Sequence, residues 1–410
     1  MRLSTLHIAW RNLGRNRKRT GLALLAIAIG QFALLATNGL MHGYADNIRL
    51  AITGPMVGHV QIHHPEWREE RAMEQRIENV SEVLNAVTNQ PGVAQAAPRI
   101  YAPALMAPER NAYAATIIGV DVSAESTDYG LLSGLQTPLG DEHVLVGNIL
   151  ARRSETSKGQ EIAVVGQATD GSYAAGLYTV QDNIRSPSGL VNESGVVMPF
   201  ETASRLFVMP DAAHEIVIRA DKGGTSRELA ANLKQLPALE GLAVEPWQEI
   251  VPELVTILDM CDNVGYFVIA LVFIAAIAGI ANTMMMATFE RMHEFGMLLA
   301  LGSRPLRIVK LIVVESLLLG ILGVAVGTAL GYLFVGVFQG PGIDMASWAS
   351  SGGLEDLTFK GLQLPLRIHP RLELFDSALG LTAVIVTTLL ASLWPALFAA
   401  RLEPMEAMRT

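Results

Sequence analysis

Four stretches of the chain carry no Asp, Glu, Lys or Arg: between Arg19 and Asp46, between Asp262 and Glu290, between Glu315 and Asp344, and between Asp376 and Arg401. Each is longer than the roughly 20 residues that cross a hydrocarbon core. Their centres read GLALLAIAIGQFALLATNGLM, VGYFVIALVFIAAIAGIANTMMM, LLLGILGVAVGTALGYLFVGVF and ALGLTAVIVTTLLASLWPALFAA. Backbone amides find no water in lipid, so each stretch is predicted to be a helix. The first span reads as an uncleaved anchor: its basic leader is long, its apolar stretch exceeds that of a signal peptide, and no small-x-small cleavage site follows promptly.

Basic residues orient the spans. The N-terminal segment holds Arg2, Arg11, Arg15, Arg17, Lys18 and Arg19 without an acid; the short connection between spans two and three holds Arg291, Arg304, Arg307 and Lys310; the C-terminal tail holds Arg401 and Arg409. With four spans these segments share one side, which places both termini in the cytoplasm. Residues between Asp46 and Asp262 then lie outside.

The outer segment alternates in a different way. Short β-branched or alternating runs bounded by Gly, Pro, Asn or Asp predict strands at HVQIHH, ATIIGVDV, EHVLVGN, EIAVVGQ, GLYTVQD, GVVMPF and HEIVIRA, with TDGSY as a hairpin loop. Val80, Val83, Leu84 and Val87 form an apolar stripe in IENVSEVLNAVTN, and SRELAANLKQL is a second helix. The predicted class is thus a membrane α-helical protein with four transmembrane helices and a large extracytoplasmic α+β domain. Trp247, Ile250, Val251, Leu254 and Leu258 recur at helical spacing and read as an unbroken run into span two; Tyr44, Ile48 and Ile52 prolong span one. Two helical stalks at the ends of the outer domain are expected.

Composition changes this picture little. Half of the 410 residues are hydrophobic and the net charge is -9, with no extended basic surface away from the spans, so a nucleic-acid partner is not expected. The single cysteine, Cys261, excludes an intrachain disulfide. No Gly-Lys dipeptide occurs, so there is no GxxxxGK[ST] phosphate loop, and HExxH, CxxC and GxSxG are likewise missing. His59 and His63 would share a strand face but lie roughly 13 Å apart, and His64 points the other way, so no metal site is expected there. The chain is read as non-catalytic, with no cofactor of its own.

The segment NTMMMATFERMHEFGMLLALGSRPLRIVKLIVVES is the most specific feature. Asn282, Glu290, Arg291, Glu294, Phe295, Gly296, Leu298, Ala300, Leu301, Gly302 and Glu315 match the signature of the FtsX-like/MacB-like ABC transporter permease family, which this chain resembles over its full length. The tail ARLEPMEAMR resembles that family's end, and GHVQIHHPEW resembles the opening strand of the LolC/LolE lipoprotein-releasing branch. The resemblance implies that Glu290, Arg291, Glu294, Phe295, Gly296, Leu298, Leu301 and Gly302 lie on a cytoplasmic coupling helix that docks on a separate ATPase. Phe295, Met297, Leu298 and Leu301 would form its apolar face, Glu290, Arg291 and Glu294 its polar one, and Gly302 its end. The bland alternative is a helix lying on headgroups. His293 and Leu299 stand where the family often has basic residues.

Gly323, Gly327 and Gly331 form a helix-packing face on span three, with span four or a second subunit as partner and intrachain packing preferred. Glu315 is expected to snorkel or pair with Arg307 or Lys310. Gln31 and Asn38 are candidates for interhelical hydrogen bonds. The expected division is a cytoplasmic tail at 1–19, span one at 20–45, the periplasmic α+β domain with its stalks at 46–260, span two at 263–289, the coupling helix at 290–305, span three at 306–338, a periplasmic loop at 339–374, span four at 375–400 and a cytoplasmic tail at 401–410. The resemblance implies the permease subunit of an inner-membrane ABC transporter, dimeric with itself or a paralogue. ATP and Mg would reside on the partner ATPase, and the work would be lipoprotein release. MacB-like efflux of peptides or drugs, or FtsX-like control of a cell-wall hydrolase through a periplasmic protein, are the alternatives. A membrane receptor without an ATPase is the reading from another class.

Overall fold

The computed structural model describes residues 2–14, 17–127, 130–221, 225–345, 358–359, 362–363 and 367–401. They form two compact units, one of Met1–Ala45, Leu258–Met345 and Arg367–Thr410, the other of Asp46–Ile257 and Ala346–Leu366.

The first unit is helical and holds α1 (Arg2–Leu13), α2 (Arg17–Ala51) as far as Ala45, α3 (Pro252–Glu290) from Leu258, α4 (Met292–Ala300), α5 (Pro305–Phe338) and α6 (Leu374–Ala400). Among the described residues α2, α3, α5 and α6 are the helices long and apolar enough to cross a membrane. They outrun the charge-free windows because flanking charged residues are also helical. The N-terminal tail, read without structure, contains α1. Residues 402–410 of the C-terminal tail and residues 346–357, 360–361 and 364–366 of the loop expected at 339–374 lie outside the described residues. The remainder of that loop pairs Ile343–Asp344 with Arg367–Ile368.

Gly323, Gly327 and Gly331 of α5 face α2, not α6. A Cβ at Gly323 would stand 2.6 Å from Ile27, at Gly327 2.5 Å from the Ala28 carbonyl oxygen, and at Gly331 2.8 Å from Leu35. The fourth span takes the other side of α5, where Gly320 meets Thr388 and Tyr332 Oη lies 3.1 Å from Ser377 Oγ. Polar side chains add interhelical bonds: Gln31 Nε2 donates to Thr328 Oγ1 at 3.3 Å and Asn38 Nδ2 to Asp376 Oδ1 at 2.9 Å. Asp376 also accepts from the Glu373 amide at 2.9 Å, closing the N-terminal cap of α6.

The second unit is built on nine strands: β1 (Val60–His63), β2 (Val93–Ala107), β3 (Tyr113–Val120), β4 (His143–Gly147), β5 (Glu161–Gln167), β6 (Tyr173–Ile184), β7 (Gly195–Pro199), β8 (Glu215–Ala220) and β9 (Ala243–Pro246). Their order is β9-β1-β8-β2-β3-β7-β4-β6-β5, and β5 pairs back to β2, with Leu105 opposite Val165. Six strands therefore close on themselves, and β8, β1 and β9 extend β2 as an open sheet. Alternation fills the ring: Ile100, Ala102 and Met106 of β2, Ile117 of β3, Val144 and Val146 of β4, and Ile162 and Val164 of β5 share one core. The open sheet buries Val60, Ile62, Ile216 and Ile218 under the helices Val80–Thr88 and Ser226–Leu233.

All seven strand segments read from the sequence contain strands, and TDGSY closes the β5–β6 hairpin. The longest strand, β2, was not among them. Its sequence VAQAAPRIYAPALMA is rich in Ala and holds Pro98 and Pro103, both poor strand signals. It is a strand because it has neighbours on both sides: β8 then β5 on one, β3 on the other. The unbroken run into span two is also corrected. A short helix, Trp247–Ile250, ends at Val251, whose φ of -130° and ψ of 65° are not helical, and Pro252 begins α3.

Gly327→Ala is expected to lower the thermal stability of the detergent-solubilised protein by about 1–3 kcal/mol, because the new methyl meets backbone. Gly279→Ala on α3, where nothing lies within 4 Å of the new Cβ, is expected to be neutral or stabilising by up to about 1 kcal/mol. Fluorescence-detected size exclusion after heating compares the two.

Candidate functional site: the turn between the second and third spans

Helices α3 and α5 are joined by Arg291, the helix α4 and a turn at Leu301–Arg304. The turn is closed by backbone bonds. Leu301 N donates to Met297 O, Gly302 N to Leu299 O and Ser303 N to Leu298 O, each at 3.0 Å. Gly302 has φ +82°, the left-handed conformation that ends a helix at little cost for glycine.

Arg291 organises the junction. Its Nη1 donates to Glu315 Oε2 of α5 at 3.0 Å, its Nε to Glu294 Oε2 of α4 at 3.2 Å, and its guanidinium lies 5.0 Å over the Phe295 ring. Glu315 also accepts from Asn12 Nδ2 of α1 at 3.4 Å. Arg291 thus ties α4 to α5 at the end of α3, Glu315 brings in α1, and Arg291 stands as partner of Glu315 where Arg307 or Lys310 was expected. Arg291 and Glu315 are largely shielded, at 15% and 10% side-chain exposure, so the pair is worth more than a surface ion pair.

The apolar face read as one surface divides in two. Phe295 is 1% exposed and sits with Ile308, Ile312, Ala396 and Ala399; Gly296 beside it is buried. Phe295 therefore anchors α4 inward and offers nothing to a partner. Met297, Leu298 and Leu301 face away, at 44%, 40% and 85% exposure, and Leu306 adds 76%. Glu290 is exposed at the end of α3. The result is a short apolar knob on a helix that is fixed from behind by an aromatic plug and a shielded ion pair.

Sequence reasoning placed Glu290, Arg291, Glu294, Phe295, Gly296, Leu298, Leu301 and Gly302 in one segment, and the structure brings them together with Glu315. It missed Asn12, because α1 carries no periodic signal that points to span three. Among the described residues no three His, Cys, Asp or Glu side chains converge as metal ligands. His59 Nδ1 accepts from the Ala220 amide at 3.2 Å, and His63 Nδ1 lies 2.8 Å from the His64 carbonyl oxygen.

Arg291→Met removes the bond from Nη1 to the largely shielded Glu315 and is expected to destabilise the helical unit by about 1–3 kcal/mol. The double variant Arg291→Met/Glu315→Leu should recover most of the loss, measured by thermal unfolding in detergent.

Residues 20–236, just over half of the chain, match the MacB-like periplasmic core domain model, and residues 266–404 match the FtsX-like permease C-terminal model. An uncharacterized ABC transporter permease of Methanocaldococcus jannaschii is 26% identical over 36% of this chain and 38% of its own length. The macrolide export ATP-binding/permease protein MacB of Escherichia coli is 22% identical over 98% of this chain and 60% of its own. The lipoprotein-releasing system transmembrane protein LolC of Neisseria meningitidis is 20% identical over 96% of both chains. The chain spans less than two thirds of the first two of these relatives. The first matched model covers the closed ring of strands and the second the Arg291 junction, and on that ground the chain belongs to the family of FtsX-like permeases with a MacB-like periplasmic core domain.

Proposed function

We propose that the chain is the non-catalytic permease subunit of an ABC transporter in the bacterial inner membrane. The exposed Met297–Leu298–Leu301 knob docks in a separate ATPase subunit. The observation that carries this reading is the knob's construction. Large apolar side chains are held outward on α4 while Phe295 and the Arg291–Glu315 pair fix that helix to α5. A docking element that transmits force must be rigid behind and complementary in front. In this reading the junction and both termini are cytoplasmic, the barrel-bearing unit is periplasmic, and two permease chains, identical or paralogous, work with two ATPases.

The work proposed is release of lipoproteins from the membrane. Its support is the alignment with the lipoprotein-releasing LolC, which spans 96% of each chain. A second reading, MacB-like export, is favoured by the match of residues 20–236 to the MacB-like core model.

Purification of the tagged protein from membranes in mild detergent tests the docking, with Leu298→Asp/Leu301→Asp beside wild type. Wild type is expected to bring down an ATPase and acylated lipoprotein. The variant, eluting as wild type on size exclusion, is expected to lose at least about tenfold of the ATPase, since two charges replace apolar side chains of the knob. An ATPase without lipoprotein would move the cargo towards the export reading. No ATPase with wild type, even after crosslinking, would reject the function proposed here.

A further inference from the structure

The end of α2 is held by a buried charge cluster that the sequence did not announce. After Ala51 the chain makes a π-helical turn, Ile52–Met56, in which Val57 N donates to Ile52 O at 3.0 Å. Pro55 has no N–H to continue the α-helical ladder. The terminal carbonyls of a helix lack partners within it and carry its negative end. Here Gly54 O accepts from Arg219 Nε at 3.2 Å and Nη2 at 3.1 Å, and Pro55 O accepts from Arg99 Nη2 at 3.0 Å.

The two arginines come from neighbouring strands, β8 and β2, where Arg219 stands opposite Gln95 and Arg99 opposite Glu215. Glu125 joins them. Its Oε1 accepts from Arg99 Nε and Nη2 at 2.9 and 2.6 Å, and its Oε2 from Arg219 Nη2 at 2.6 Å and from Leu131 N at 2.8 Å. Asp121 fixes Glu125 in turn by capping the short helix Val122–Glu125. Arg219 Nη1 donates to Gln95 Oε1 at 2.9 Å, and Tyr101 Oη to Glu215 Oε1 at 2.6 Å. Arg99, Arg219, Glu125 and Glu215 are all at most 5% exposed, and their formal charges cancel. Burial pushes the Glu125 carboxyl up, but the two guanidiniums win and hold it below the ordinary carboxylate range.

Such a cluster is a costly way to stabilise a sheet, since apolar side chains of the same volume usually serve as well or better. Apolar side chains cannot, however, grip two particular carbonyl groups at a helix exit. The start of α3 is built otherwise. Arg68 holds the preceding turn, donating to Glu245 Oε2 and Ile250 O at 2.7 Å each, but α3 itself begins only after the non-helical Val251.

We infer that Arg99 and Arg219, set by Glu125, are positioning residues that hold the turn leaving α2 rigidly on the outer sheet, whereas the chain flexes at Val251, where it enters α3. The inference rests on the function proposed above only in assigning the motion to nucleotide turnover. In the coupling cycle the turn at Ile52–Met56 then keeps its bonds to the sheet, while the backbone at Val251 changes.

Amide hydrogen exchange on the full-length permease with its ATPase in nanodiscs, with and without ATP and vanadate, tests this. Residues 52–58 are expected to exchange equally in both states, within about twofold, while residues 251–256 change. Exchange at 52–58 that rises about tenfold with nucleotide would overturn the clamp. The variant Arg99→Met/Glu125→Leu/Arg219→Met is the second arm. Strands β4 and β7 should stay protected and ATP hydrolysis should stay within about twofold of wild type, while 52–58 exchanges at least about tenfold faster. Protection of 52–58 as in wild type in that variant would overturn the proposal. Loss of protection in β4 and β7 would mean that the variant does not fold, and the wild-type arm then decides. A preparation that binds no ATPase rejects the proposed function instead, and the clamp is still read there from 52–58 in wild type against the variant.

Discussion

The arrangement of the helical unit depends on the bare backbone at Gly323, Gly327 and Gly331. Between lipid-exposed helices there is no hydrophobic gain to draw them together, so contact must come from close packing and from polar groups with nowhere else to go. Removing three Cβ atoms from one face of α5 lets α2 lie directly on it. That approach puts Gln31 within reach of Thr328. The same helix carries Asn38, which bonds Asp376 and so ties α2 to the start of α6. The helix α3 shares least in this packing; Phe267, Leu271 and Ile274 are more than half exposed.

Two of the shielded charge clusters among the described residues place arginine at a helix end. At the junction of α3, α4 and α5, Arg291 links Glu294 and Glu315 and covers Phe295, so that a nine-residue helix too short to be stable alone is held in place. In the barrel-bearing unit, Arg99 and Arg219 take the carbonyls at the end of α2. The second arrangement satisfies carbonyls that a helix terminus leaves open, whereas the first joins side chains only. Arg291 combines the local contacts to Glu294 and Phe295 with Glu315, 24 residues on, and the second cluster joins residues far apart in sequence.

The spans were legible because the physics that makes them is local: long charge-free windows admit one backbone solution in lipid. Strands with Val and Ile alternation were legible for the same reason. The strand β2 was not, since Ala, Gln and two prolines carry no strand signal and only its neighbours on both sides make it one. Pro252 was a visible stop signal that the helical spacing of Trp247, Ile250, Leu254 and Leu258 obscured. The segment from Glu290 to Gly302 was found from its motif. The inward turn of Phe295 was hidden, because the sequence shows that Phe295, Leu298 and Leu301 are apolar but not which of them the bundle claims. The partner of Glu315 was mistaken because nearby Arg307 and Lys310 were weighed, while Arg291 reaches it across the turn.

The most direct test of the account is site-specific photocrosslinking in intact membranes, with a benzophenone amino acid placed singly at Leu298, Leu301, Phe295 or Tyr173. The account predicts an ATPase adduct from Leu298 and Leu301 and none from the buried Phe295 or from Tyr173 in the barrel-bearing unit. An ATPase adduct from Tyr173, or none from either leucine, would contradict it.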